Sequence, residues 1–232
     1  MMIVLKKVTN YLKYKNKKYK RLSTFFQVIS TIGLVISFIF LGYLWWLVIP
    51  FLLLGGISTY YKIKSKNYSY GTEGEREVAK TLYENLNDNY YLLNDVKLPN
   101  SQSNIDHIIL GPNGVFIIET KNNIGQIFCK EDYWYKYDER DNNYYILPGN
   151  PSKRIKGKSA DFGRFIEKIL NRKVWINRFI VFANNKVTLN LDNPSVDVLK
   201  INELVNYIKS MKSFNPLSKE EINKIAQVLR KS

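Results

Sequence analysis

Forty consecutive residues, Leu22 to Tyr61, contain no Asp, Glu, Lys or Arg. As one α-helix, at about 1.5 Å per residue, they would extend roughly 60 Å, twice the ~30 Å hydrocarbon thickness of a bilayer. One crossing leaves half of the stretch unexplained. Two crossings of about 18 residues each account for it, with a turn near Gly42-Tyr43. The flanks agree. Residues 1–66 hold 11 of the 35 basic residues and none of the 20 acidic ones. Lys and Arg accumulate on the cytoplasmic side of membrane spans, so both ends of the stretch are expected there and the number of crossings is even. Tyr43, Trp45 and Trp46 would then lie at the far interface, and Pro50 would kink the second span. A cleaved signal peptide does not fit an apolar run this long that starts this late. The competing reading is a buried helical hairpin of a soluble protein.

Charge also bears on partners. The formal net charge of +15 invites a nucleic-acid reading. Beyond residue 66, however, the chain has 24 basic and 20 acidic residues, so most of the excess flanks the apolar stretch. Residues 1–21, rich in Lys and Tyr, suit anionic lipid headgroups or form a solvated arm. The single cysteine, Cys129, excludes an intrachain disulfide and a Cys-based zinc site. The single histidine, His107, speaks against His-rich metal sites and a Ser-His-Asp triad. It should point to the sheet face opposite Asp106, where packing or hydrogen bonding suits it better than catalysis.

Residues 104–121, NIDHIILGPNGVFIIETK, concentrate the chemistry. Two β-branched runs flank Gly111-Pro112-Asn113-Gly114, which reads as a β-hairpin. If that tetrapeptide is the loop, Leu110 faces Val115 and Asp106 faces Glu119, with Cβ atoms about 4.5–5.5 Å apart. Lys121 shares their face, two residues on. Two carboxylates in an apolar setting require a proton or a shared cation, and oxygen ligands suit Mg²⁺ or Mn²⁺. Lys121 can orient water or stabilise a phosphate charge. Asp followed by Glu-x-Lys on the next strand suits metal-dependent phosphodiester hydrolysis. The alternative is a plain Lys121–Glu119 ion pair at a strand end. A one-residue register slip would separate the acids.

The segment from Gly71 to about Phe182 resembles the NERD (nuclease-related domain) family of the PD-(D/E)xK superfamily. The resemblance rests on Gly74-Glu75, Leu93-Asn94-Asp95-Val96, Ile105-Asp106-His107-Ile108, Gly111 to Phe116, Ile118-Glu119-Thr120-Lys121-Asn122 with Gly125, and Asn150-Pro151. It implies a restriction-endonuclease-like fold, with Asp106 and Glu119 as metal ligands, Lys121 as the superfamily lysine and Glu75 as the acid of the first helix. The family often has Gln where this chain has Arg154.

The remaining elements follow from local patterns. Residues 62–70 read as a polar linker and about Glu73–Leu86 as a helix. Thr72 with Glu75 makes a capping box, yet Glu75 also shares the apolar face of Ala79, Leu82 and Leu86; both readings stand. Strands are expected at 90–96, 126–130, 133–137, 144–147, about 174–183 and 196–201. The interleaved Tyr and Lys of 133–137 can stack on bases, although half-buried strands commonly look the same. A helix from Asn150-Pro151 to about Leu170 opens with Lys153, Arg154, Lys156 and Lys158. Cations there oppose the helix dipole, so a phosphate backbone is a candidate partner beside a merely solvated face. Asn202 can cap a helix to Met211, and Ser218 with Glu221 caps the last.

The chain is thus expected to be an α/β protein with a restriction-endonuclease-like mixed sheet flanked by helices, preceded by two transmembrane helices. Its parts are a basic cytoplasmic arm (1–21), a transmembrane hairpin (22–61), a linker (62–70), a nuclease-like domain (71–185) and a C-terminal strand and helices packing on it (186–232). The expected function is a multi-pass, Mg²⁺- or Mn²⁺-dependent nuclease at the cell membrane, both termini cytoplasmic, with nucleic acid, DNA before RNA, as partner. The alternatives are a non-catalytic nucleic-acid-binding module and a membrane scaffold whose acids form a structural ion network.

Overall fold

The computed structural model describes every residue except 1, 7–10, 41, 42, 44, 100, 102, 214, 215, 231 and 232. Two compact units emerge: residues Asn10–Thr72, and Met1–Thr9 together with Glu73–Ser232.

In the first unit, α1 (Tyr11–Ile39) and the start of α2 (Val48–Asn85) run antiparallel, with a 3₁₀ turn at Trp45–Leu47 between them. Gly42, at the expected turn, lies outside the described residues. A serine seam joins the helices. Ser23, Ser30 and Ser37 on α1, and Ser58 and Ser65 on α2, recur every seven residues and are buried. Ser58 Oγ donates to Ser23 O at 2.9 Å, Ser30 Oγ to Phe51 O at 2.7 Å, and Ser65 Oγ to Asn16 Oδ1 at 2.5 Å. Small side chains at a heptad spacing allow close approach; Gly33 leaves room for the Phe51 ring. The outer faces, with Phe25, Ile32, Phe38, Leu52, Leu53 and Ile57, are exposed. Residues 13–39 and 45–85 form helices long and apolar enough to cross a membrane. Two details differ from expectation. Pro50 lies in the first turn of α2, where its missing N–H has no helical partner to lose, so it requires no kink. Residues 62–70 are helical, and Thr72, inside α2, donates its hydroxyl to Tyr68 O at 2.8 Å. No helix starts at Thr72, so Glu75 caps none.

The second unit has the expected α/β class, a six-stranded mixed sheet flanked by helices. Its strands are β1 (Ile3–Lys6), β2 (Tyr91–Val96), β3 (Ile105–Gly111), β4 (Gly114–Lys121), β8 (Ile176–Phe182) and β10 (Asp197–Lys200), in the spatial order β1-β2-β3-β4-β8-β10. β4 pairs parallel with β8, as a central return strand should. The chain start is a correction. Residues 3–6 are no solvated arm but an edge strand parallel to β2, and Met2 is buried under it.

The strands beyond Gly125 do not extend this sheet. β5 (Gly125–Lys130), β6 (Tyr133–Asp138) and β7 (Asn143–Ile146) form an antiparallel meander of a second sheet, ordered β7-β6-β5-β9. Its fourth strand, β9 (Val187–Asp192), pairs parallel with β5 and is polar enough to have escaped the sequence pattern. Three helices complete the unit: α3 (Pro151–Leu170), α4 (Ile201–Ser210) and α5 (Lys219–Arg230). Ser218 and Glu221 form the reciprocal cap of α5, whereas the α4 N-terminus is closed by Glu203 accepting the Lys200 N–H, not by Asn202.

The large sheet is covered on both faces. Ile109, Phe116, Ile118, Phe179 and Val181 pack with Val78 and Leu82 of α2, with Leu86 just beyond it, and with Leu204 and Ile208 of α4. On the other face, Ile108, Leu110, Val115, Ile117 and Phe182 pack with Ile155, Phe162 and Ile166 of α3 and with Ile127, Cys129 and Trp134 of the second sheet. Trp134 Nε1 donates to Ser152 Oγ at 2.9 Å, and Lys156 Nζ to Asp132 Oδ2 at 2.8 Å, which ties α3 to the β5–β6 turn.

Candidate active site

The β3–β4 register is the one expected. Leu110 pairs with Val115, Ile109 with Phe116 and His107 with Ile118. Asp106 and Glu119 therefore lie on one face, the face turned to α3, at the strand ends away from the turn. Asp106 Oδ2 accepts the Thr120 N–H at 2.8 Å. Lys121 Nζ donates to Glu119 Oε1 at 2.9 Å.

Lys158 completes the centre. Its ammonium donates to Asp106 Oδ1 at 2.9 Å and to Glu119 Oε2 at 2.5 Å, and the residue is only 4% exposed. Two carboxylate oxygens on different strands thus converge on a single cation position. Lys158 is therefore a correction: it does not reach outward toward a phosphate backbone. A signal was present. Ile155, Lys158, Phe162 and Ile166 recur at helical spacing, so Lys158 sits on the inward stripe of α3. The other basic residues of that helix divide. Lys153 is exposed. Lys156 is held by Asp132. Arg154 is 46% exposed and brings its guanidinium within 3.5 Å of Glu119 Oε1.

Electrostatics distinguish the two acids. Burial opposes ionisation of Glu119, but Lys158, Lys121 and Arg154 together outweigh it and hold its carboxyl at about 2. Asp106 is raised, by burial and then by the neighbouring Glu119 charge, against the pull of Lys158. Without metal, a proton taken up by the pair goes first to Asp106. Glu75 stands on α2, at the end of β4. The Cβ missing from Gly74 would come within 2.7 Å of Asn122 Cβ, so only glycine lets the helix settle there. Burial, then the charges of Asp106 and Asp95, push the Glu75 carboxyl up to about 8. His107 faces the opposite side, its Nδ1 2.6 Å from Asn94 Oδ1, and burial lowers it to about 3. It stays a neutral imidazole within the core.

The donor set fits a divalent cation. The ligands are hard oxygens, the two carboxylates already share one cation position, and a third acid lies near. Among the described residues, no group of three or more His, Cys, Asp or Glu is preassembled around one ion.

Residues 70–183 match the family model described as nuclease-related domain. No curated protein matches the chain. Two solved structures are similar at low identity. A repair endonuclease from Pyrococcus abyssi is 10% identical, with a TM-score of 0.28, over 51% of this chain and 46% of that one. SfsA from Pyrococcus furiosus, in complex with Ca²⁺, is 11% identical, with a TM-score of 0.27, over 70% and 54%. The chain thus spans about half the length of each. With the hairpin motifs, Gly74-Glu75 and Asn150-Pro151 all inside the matched residues, residues 70–183 form a NERD, or nuclease-related, domain.

Proposed function

We propose that this protein is a membrane-anchored, Mg²⁺- or Mn²⁺-dependent nuclease that hydrolyses phosphodiester bonds of nucleic acid, DNA in the first instance, on the cytoplasmic side. The observation that carries this reading is the convergence of Asp106 Oδ1 and Glu119 Oε2 on one cation position, with Lys121 alongside, inside a nuclease-related domain. The arrangement corresponds to a PD-(D/E)xK site.

Asp106 and Glu119 would hold the metal, with Glu75 as an additional acid that ionises once a cation approaches. When bound, the ion would polarise a phosphoryl oxygen and acidify a water. Thr120 N–H fixes the Asp106 carboxylate. Lys121, anchored on Glu119, positions the attacking water and stabilises charge developing on the phosphate. Arg154, half exposed beside Glu119, and Lys153 contact flanking phosphates.

Anchoring is supported by the two apolar helices and by chain connectivity. β1 precedes those helices, β2 follows them, and both lie in one sheet. Sharing a sheet requires both to be on the same side of a membrane, hence an even number of crossings. Lysine-rich flanks then favour the cytoplasm. A reporter fused after Ser232 should be found inside; its appearance outside refutes this topology.

One observation favours a second reading, a nucleic-acid-binding module without catalysis: the cation position is filled by Lys158 and all four oxygens of Asp106 and Glu119 have protein partners. Cleavage assays separate the two. Full-length protein in detergent would be incubated with plasmid, linear duplex and single-stranded DNA in Mg²⁺, Mn²⁺ or EDTA, beside Glu119→Gln and Lys121→Ala. Metal-dependent cleavage lost in both folded variants is expected. Salt-sensitive binding without cleavage on any substrate would establish the second reading.

A further inference from the structure

We infer that Lys158 is the resident cation of the Asp106–Glu119 pair, and that a divalent metal binds there only by displacing its ammonium. The inference rests on the reading of Asp106 and Glu119 as cation ligands but goes beyond it, because Lys158 belongs to none of the motifs that carry the resemblance. The ammonium lies 2.9 Å from Asp106 Oδ1 and 2.5 Å from Glu119 Oε2, so it stands where an ion shared by these oxygens would stand. The remaining two oxygens are held by Thr120 N–H and Lys121. Space and charge both make occupancy exclusive. Two carboxylates already face the cations of Lys158, Lys121 and Arg154, and a divalent ion added to that set would meet net repulsion. Lysine can leave. Its charge rides on a flexible four-carbon stem, and a backbone ligand could not withdraw in that way.

Two consequences follow. The pair is neutralised without metal, so the domain folds in its absence. Apparent metal affinity is reduced by the fraction of molecules in which Lys158 is withdrawn. Replacing Lys158 with the uncharged, similarly shaped methionine removes the competitor and turns the pair into a site that needs an ion.

The test measures Mn²⁺ binding to the full-length protein in detergent, without nucleic acid, from the EPR signal of free Mn²⁺. It compares wild type, Lys158→Met and Lys153→Met, an exposed control on the same helix. Lys158→Met should bind one ion about tenfold or more tightly than wild type and gain more in Tm on Mn²⁺ addition; Lys153→Met should match wild type. Equal or weaker binding by Lys158→Met overturns the inference. Should that variant fail to fold, wild type alone decides. Amine labelling followed by mass spectrometry should find Lys158 protected in EDTA and reactive at saturating Mn²⁺; unchanged protection at saturation overturns the inference. Tighter binding in Lys158→Met without cleavage by any variant would leave the inference intact and sink the nuclease reading.

Discussion

Glu119→Gln and Asp106→Asn look like equivalent changes, yet the structure predicts unequal costs. Both remove one negative charge and keep the shape. The Glu119 carboxyl is held at about 2, against an ordinary 4.5, by three cations. At about 1.4 kcal/mol per unit, its ionised form contributes about 3 kcal/mol to folding near neutral pH. Glu119 is 1% exposed, so solvent screens little of the Lys158 contribution, while that of the half-exposed Arg154 is discounted. Glu119→Gln should therefore destabilise by about 2–3 kcal/mol. Asp106 is shifted the other way, raised by burial and by Glu119, so ionising it already strains the fold. Asp106→Asn removes that strain at the expense of one Lys158 partner and should change stability by about 1 kcal/mol or less. The assay follows from the sequence. Cys129 is the only cysteine and is buried on β5, so denaturant-dependent thiol labelling reports opening of this domain without interference from the apolar helices. In EDTA at pH 7.5, the Glu119→Gln midpoint should fall well below those of wild type and Asp106→Asn. The pH dependence has a defined sign. A depressed carboxyl stabilises above its unfolded value near 4.5 and loses that contribution as pH falls toward 2, so the gap between wild type and Glu119→Gln should close on acidification. If Asp106→Asn costs as much as Glu119→Gln, or if Glu119→Gln costs nothing, the charge assignment at this site is wrong.

Four further outcomes are expected. Glu75 is raised to about 8, so its ionisation costs the folded state stability as pH climbs from 4.5 to about 8; in EDTA, Glu75→Gln should match wild type at pH 4.5 and exceed it by up to about 5 kcal/mol at pH 9, by the same labelling assay. Met2, 3% exposed, anchors β1 against the α2 face of the sheet, and Met2→Ala should cost about 2 kcal/mol; a fragment beginning at Lys66 should be less stable still and prone to self-association through the uncovered β2 edge, seen by size-exclusion chromatography. Replacing Ser58 with Leu should drive apart the helices that meet at Ser23, lowering crosslinking yield between cysteines placed on α1 and α2 in a Cys129→Ser background.

Legibility in the sequence followed interaction range. The hairpin was readable because its loop, its period of two and its pairing are all local, and one turn fixes every pair back to Asp106 and Glu119. The apolar helices announced themselves by forty uncharged positions. The serine seam was equally local, yet it lies inside a stretch read for hydropathy, where a seven-residue spacing of small polar residues passes unnoticed. β1 could not be read at all. Four residues ahead of a basic arm acquire strand character only from β2, more than eighty positions away in the chain.

Lys158 is named by the sequence as a phosphate contact, and its inward role escaped for a different reason, which bears on how such sites are recognised. In sequence it sits among Lys153, Arg154 and Lys156, and a run of cations at a helix start reads as one basic surface. A helix, however, disperses neighbours around its axis by about 100° per residue, so the run divides: Lys153 to solvent, Lys156 to Asp132, Arg154 to the rim of the site, and Lys158 inward between two carboxylates. The fold tolerates a buried ammonium only because Asp106 and Glu119 are there, and it tolerates those acids together only because a cation lies between them. Neither half explains itself alone. An inward lysine on the helix that faces an Asp…Glu-x-Lys hairpin therefore bears directly on metal binding, because it determines whether the acids wait for an ion or already have one.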